Sequence, residues 1–189
     1  VALGRGDQRA TFTGNAAADL FNLSVASVTI MNVIFAAPLT DAQTAHVNIA
    51  ASGCAVIGCK FIGSVATENV VDCITVTSAG HYALIADNEF ENVTVDVVTF
   101  ISIEGAARRV RLINNVAMGN CSTACVLVGA VATLMEVGRN VFINNKASTI
   151  AVSFTSNATG FAYENYVGGL STTLANNSAW GTAMRVFQN

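Results

Sequence analysis

The chain has 189 residues and a net charge of −3, with nine Lys and Arg against twelve Asp and Glu, so the dense cationic surface of a nucleic-acid binder is excluded. Charged residues make up 11% of it and hydrophobic ones 52%, against about a quarter charged in an ordinary domain. No run of about 20 residues is free of polar punctuation, which excludes a membrane-spanning helix.

A surface so short of charge must be covered by Thr, Ser and Asn or by copies of itself, because large bare apolar patches mark contact surfaces. Self-association is the expectation. The length suits one domain, and with no Pro/Ser linker and a single proline, Pro38, residues 1–189 read as one unit. The first residues, Val1 to Asp7, do not read as a signal peptide, and the Arg5-Gly6-Asp7 triplet is short enough to arise by chance.

Taken in order, Phe12 and Gly14 prefigure a motif that becomes regular further on, so residues 1–15 are a cap or a degraded first coil. Ile30 to Phe35, Val56 to Phe61, Ile85 to Phe90, Ile113 to Met118 and Val137 to Phe142 each place an aliphatic residue five positions before a large apolar one. Successive copies lie 26, 29, 28 and 24 residues apart, and a weaker one, Ala162 to Val167, follows after 25. Two residues beyond the large residue come Gly63, Asn92, Asn120, Asn144 and Gly169, with Ala37 in the first copy. Between copies lie short alternating runs rich in Val, Ile and Thr: Thr44 to Ala50, Asp72 to Ser78, Val97 to Ile103 and Thr149 to Thr155. They are strands by period and too short for independent helices. The tail from Ser171 to Asn189, with Trp180, reads as a cap or contact segment closing the open end.

Self-similarity at this period signals stacked repeats, each burying its neighbour's apolar face. Two or three short strands per repeat fit a parallel β-helix, whose coils lie about 4.8 Å apart. Leucine-rich repeats need a fixed leucine spacing that is missing. The predicted fold is therefore all-β, a right-handed parallel β-helix solenoid of about six to seven coils. Phe35, Phe61, Phe90, Met118 and Phe142 are predicted to form one internal stack, and Ile30, Val56, Ile85, Ile113 and Val137 a second. The column Gly63, Asn92, Asn120, Asn144 and Gly169 is predicted to mark bends at positive φ, which Gly and Asn tolerate.

The repeat and its Asn88-Glu89-Phe90 and Asn140-Val141-Phe142 turns resemble the right-handed β-helix of the pectin-lyase-like superfamily, over roughly residues 10 to 170. That scaffold carries lyases, hydrolases, epimerases, tailspikes and inert virion parts, so the resemblance implies a fold more than an activity. The segments Asn69 to Val76 and Ile85 to Phe90 look like those of small β-helix proteins among bacteriophage structural genes. This closer resemblance implies a virion component, typically trimeric.

Lyases of that superfamily use calcium-holding carboxylates with an Arg or Lys base, and hydrolases use paired carboxylates. The best catalytic candidates are Asp87, Glu89, Arg139 and Glu164. Lys60 is expected beside Glu89 one coil away, and Asp87, Asn115, Arg139 and Glu164 are expected to stack in one column. Cross-strand charge pairing explains the same residues. His46 and His81 are too far apart in coil number for a dyad. Arg108, Arg109 and Arg111 read as a solvated turn. The odd set Cys54, Cys59, Cys73, Cys121 and Cys125 reads as reduced, buried thiols, and Cys121 and Cys125 lack the partners a zinc site needs. The expected function is a non-enzymatic, homotrimeric virion part of a phage capsid or tail appendage, assembled in the host cytoplasm, with no cofactor or metal and with other virion proteins as partners. The alternatives are a tailspike-like depolymerase or lyase fragment and an adhesin that binds cell-surface glycan without turnover.

Overall fold

The computed structural model describes residues 9–14, 17–36, 43–63, 70–129, 131–146, 149–154, 157–169, 178–179 and 183–187, apart from the side chains of 92–96, 178–179 and 183. They form an all-β parallel solenoid of about five turns, slightly fewer than the expected six to seven. Arg5 to Asp7, Ala37, Pro38, Trp180 and most of the tail lie outside the described residues, as does the side chain of Asn92.

Each rung has three sides. Side one stacks Thr11–Thr13, Ile34–Ala36, Lys60–Ile62, the starts of Glu89–Ile103 and Val116–Val128, then Val141–Asn144 and Tyr166–Gly169. Side two stacks Phe21–Leu23, Gln43–Ile49, Val70–Val76, the ends of the same two long strands, Val152–Phe154 and Ser178–Ala179. Side three stacks Thr29–Met31, Ala55–Ile57, Leu84–Ala86, Arg111–Ile113, Met135–Gly138, Thr159–Tyr163 and Ala183–Phe187. Within the tail, Ser178–Ala179 thus extends side two and Ala183–Phe187 extends side three.

On sides one and three the middle residue of each short strand points inward. Phe35, Phe61, Phe90, Ala117, Phe142 and Val167 follow one another on side one. Ile30, Val56, Ile85, Leu112, Val137 and Ala162 do so on side three. The rings of Phe35 and Phe61 stack at 4.8 Å and those of Phe61 and Phe90 at 4.7 Å. Burying each such ring is worth about 1.5 to 3 kcal/mol.

Two expected core positions are corrected. Met118 pairs with Glu91 and Ile143 and is 44% exposed, while fully buried Ala117 takes the slot between Phe90 and Phe142. Likewise Leu112, not Ile113, continues the aliphatic stack. A slip of one residue in a strand exchanges inward and outward faces, and both errors come from that slip.

The turn column moves too. Gly119, not Asn120, pairs with Asn92 and Asn144, and Asn92 lies inside the continuous strand Glu89–Ile103. The left-handed residues instead bracket side three: Ser27, Gly53, Tyr82, Arg109 and Leu134 before it, and Asn32, Gly58, Asp87, Asn114, Arg139 and Glu164 after it. These corners are tight, whereas the bend after Asn92 is absorbed by a strand that runs on. At Gly58 a side chain would be strained by a φ of +63° and would have to displace the Asn32 amide, whose Oδ1 stands 2.8 Å from where Cβ would lie.

Candidate functional site

The corner between sides three and one is built from a two-residue step. The first residue is left-handed and points outward; the second is Asn88, Asn115, Asn140 or Asn165 and points inward. Asn88 Nδ2 donates to Asn115 Oδ1 at 3.0 Å, Asn115 Nδ2 to Asn140 Oδ1 at 3.0 Å and Asn140 Nδ2 to Asn165 Oδ1 at 2.9 Å. The same amides donate backwards to the carbonyls of Val56, Ile85 and Leu112. Each Oδ1 also accepts the backbone N–H of the preceding rung, beginning with Cys59 N to Asn88 Oδ1 at 2.9 Å. This satisfies the buried amides of an otherwise apolar interior and fixes the angle between the two sides.

Asn115 therefore belongs to the interior ladder and not to the charge column. Its expected place beside Asp87 is taken by Asn114, whose Nδ2 donates to Asp87 Oδ1 at 3.1 Å. Asp87, Asn114, Arg139 and Glu164 form the exposed edge of this corner. On side one, Lys60 lies 3.4 Å from Glu89 and 3.2 Å from Glu91, and the Glu91 hydrogen bond raises the Lys60 pKa.

On side three the outward residues border an open groove of about 370 Å³ lined by Tyr82, Arg109, Arg111, Leu134, Glu136 and Phe161. Tyr82, Leu134 and Phe161 are all exposed. The Arg109 guanidinium lies over the Tyr82 ring, 5.6 Å from its centre, a favourable cation–π arrangement. Arg111 is paired to Glu136, whose other oxygen accepts the Tyr163 hydroxyl at 2.9 Å. The Arg111 guanidinium holds the Glu136 carboxyl below its usual range, and burial, helped by Glu136, raises the Tyr163 hydroxyl.

No protein-family model, curated protein or solved structure matches the chain. The geometry alone carries the reading. In the groove the single lining carboxylate is held ionised by an arginine, so it suits contact rather than proton donation. Among the described residues no group of three or more His, Cys, Asp or Glu could hold a metal ion.

The remaining titratable groups lie in the interior. Asp72 on side two accepts hydrogen bonds from Thr99 and Thr75, and burial pushes its pKa up to about 6. His46 lies beside the stacked Phe35 and Phe61, 5.8 Å from each ring. Burial lowers its pKa to about 4; the Ala36 backbone favours the charged form slightly, yet neither ring nitrogen meets hydrogen-bonding geometry. All five cysteines are buried and free, with Cys121 and Cys125 sulfurs 3.8 Å apart. Sequence reasoning missed the groove, because its residues come from four rungs. It missed the ladder too, although Asn recurs at 88, 115, 140 and 165 at intervals of 27, 25 and 25.

Proposed function

We propose that the chain is a non-enzymatic structural part that assembles as a homotrimer. The observation that carries this reading is the apolar exterior flanking the ladder corner. Val116, Met118, Val141, Ile143 and Tyr166 are half-buried or exposed on side one, and Tyr82, Leu134 and Phe161 are exposed on side three. Covering such faces removes apolar area from water at about 25 cal/mol per Å². The finer assignment to a right-handed pectin-lyase-like β-helix rests on the repeat and its Asn88-Glu89-Phe90 and Asn140-Val141-Phe142 turns, and that to a phage capsid decoration or tail appendage on the resemblance of Asn69 to Val76 and Ile85 to Phe90. Its mechanism is mechanical: a stiff prism held by rung-to-rung hydrogen bonds.

Light scattering in low and high salt, run beside reducing-end and unsaturated-product assays on acidic and neutral polysaccharides, tests the proposal. The expected result is a trimer that resists salt, because apolar burial is not screened, and leaves the polysaccharides uncut. A stable monomer that releases oligosaccharides, and loses that activity on Glu89→Gln, would favour the carbohydrate-active alternative.

A further inference from the structure

Resting on the trimeric reading, we propose that the faces meeting at the Asp87, Asn114, Arg139 and Glu164 corner are the two halves of one interface. Side three of one copy packs on side one of the next, around a threefold axis parallel to the solenoid.

Such an interface is heterologous and closes into a ring. Rotation about an axis parallel to the stack leaves every rung at its own height, so each rung of side three meets the same rung of side one. The residues can then be compared row by row. In the rung of Leu84–Ala86, side three presents Tyr82 with the Arg109 guanidinium over it, and side one presents Glu89 and Glu91. Arg109 forms no ion pair among the described residues, while the two glutamates share the single ammonium of Lys60. A cation short of a partner thus meets carboxylates in excess of theirs.

Two rungs on, exposed Leu134 faces half-buried Val141 and Ile143. Glu136 brings no unpaired charge there, because Arg111 and Tyr163 already close it. One rung further, Phe161 on side three and Tyr166 on side one share a rung and are 43% and 64% exposed. Ring meets ring. An antiparallel arrangement would instead lay Glu89 and Glu91 against Phe161, burying on an aromatic surface two carboxylates that share one ammonium, which is costly.

The test is covalent capture. A chain carrying both Phe161→Cys and Tyr166→Cys, oxidised mildly with copper phenanthroline, is expected to run as a closed trimer on a non-reducing gel; neither single variant should cross-link. The five native cysteines are buried. Cross-linking that stops at a dimer, runs on past three copies or stays within one chain overturns the interface. So does a trimer by light scattering in which the cysteine pair fails to react, and in that case the trimeric reading survives. A wild-type monomer overturns both. As a second arm, Arg109→Glu and Glu89→Arg are each expected to weaken assembly at least tenfold, and their combination to restore it to within threefold. A combined variant as weak as the single ones overturns the pairing.

Discussion

The ladder corner and side two solve the same problem in opposite ways. At the corner, Asn88, Asn115, Asn140 and Asn165 repeat in register, so each buried amide finds a donor or acceptor in the next rung. On side two the columns are mixed. His46 lies opposite Cys73, which lies opposite Phe100, and Asp72 has Ala45 on one side and Thr99 on the other. Gln43 Oε1 and both His46 nitrogens are left without a hydrogen-bond partner. In a stack, a buried polar residue is well accommodated when its column repeats it; where the column does not, its charge is suppressed instead.

Phe90, two residues past the corner on side one, packs side one against side two, stacking on Phe61 and lying 5.7 Å from Phe100 of side two. Phe90→Ala is expected to give the largest loss, about 3 to 5 kcal/mol from the cavity left behind. Denaturant unfolding measures it, and a loss below about 1 kcal/mol would show that the rungs do not share a core.

Next in size is the ladder itself. Asn115→Ala removes the acceptor of the Asn88 N–H and the donor to the Ile85 carbonyl. Each buried group orphaned in this way costs about 1 to 3 kcal/mol, so with two such groups a loss of at least about 2 kcal/mol is expected. Asn114→Ala, on the exposed neighbour, should cost less, although it gives up a left-handed-tolerant residue. Equal losses for the two variants would remove the distinction between the interior ladder and the outer column.

The period and the strand type were legible because apolar residues must return to the same column every rung, and sequence spacing records that directly. Registration within the fourth rung was not, because Ile113 and Met118 satisfy the aliphatic–large pattern, whereas the true pair, Leu112 and Ala117, does not. Size was mistaken for orientation: a small residue in the core column beside a large one on the surface reverses the signal. The bends were misread for a related reason. Tyr82, Arg109, Leu134, Arg139 and Glu164 adopt positive φ without being Gly or Asn, so composition did not reveal them. Of the candidate site, the Lys60–Glu89 neighbourhood follows from rung spacing, whereas the groove depends on residues whose relation appears only once the rungs are stacked.

The smallest expected effect separates the two regions by pH. The asparagine ladder does not titrate, so side two should carry the response. His46 falls from 6.5 to about 4 in the fold; its contribution is present above 6.5 and is lost as pH falls through the folded value. Asp72 rises from 3.8 to about 6; its contribution is fully present below 3.8 and is lost as pH rises through 6. Between about pH 4 and 6 the two slopes oppose each other at up to about 1.4 kcal/mol per pH unit each, so these groups leave the wild-type stability nearly level there. Asp72→Asn leaves only the histidine term and should lose about 1 kcal/mol between pH 6 and 5 relative to wild type, and His46→Leu leaves only the aspartate term and should gain about as much. Urea midpoints at pH 6, 5.5 and 5 read both. If the two variants move in the same direction, buried charge on side two is not what distinguishes it from the ladder.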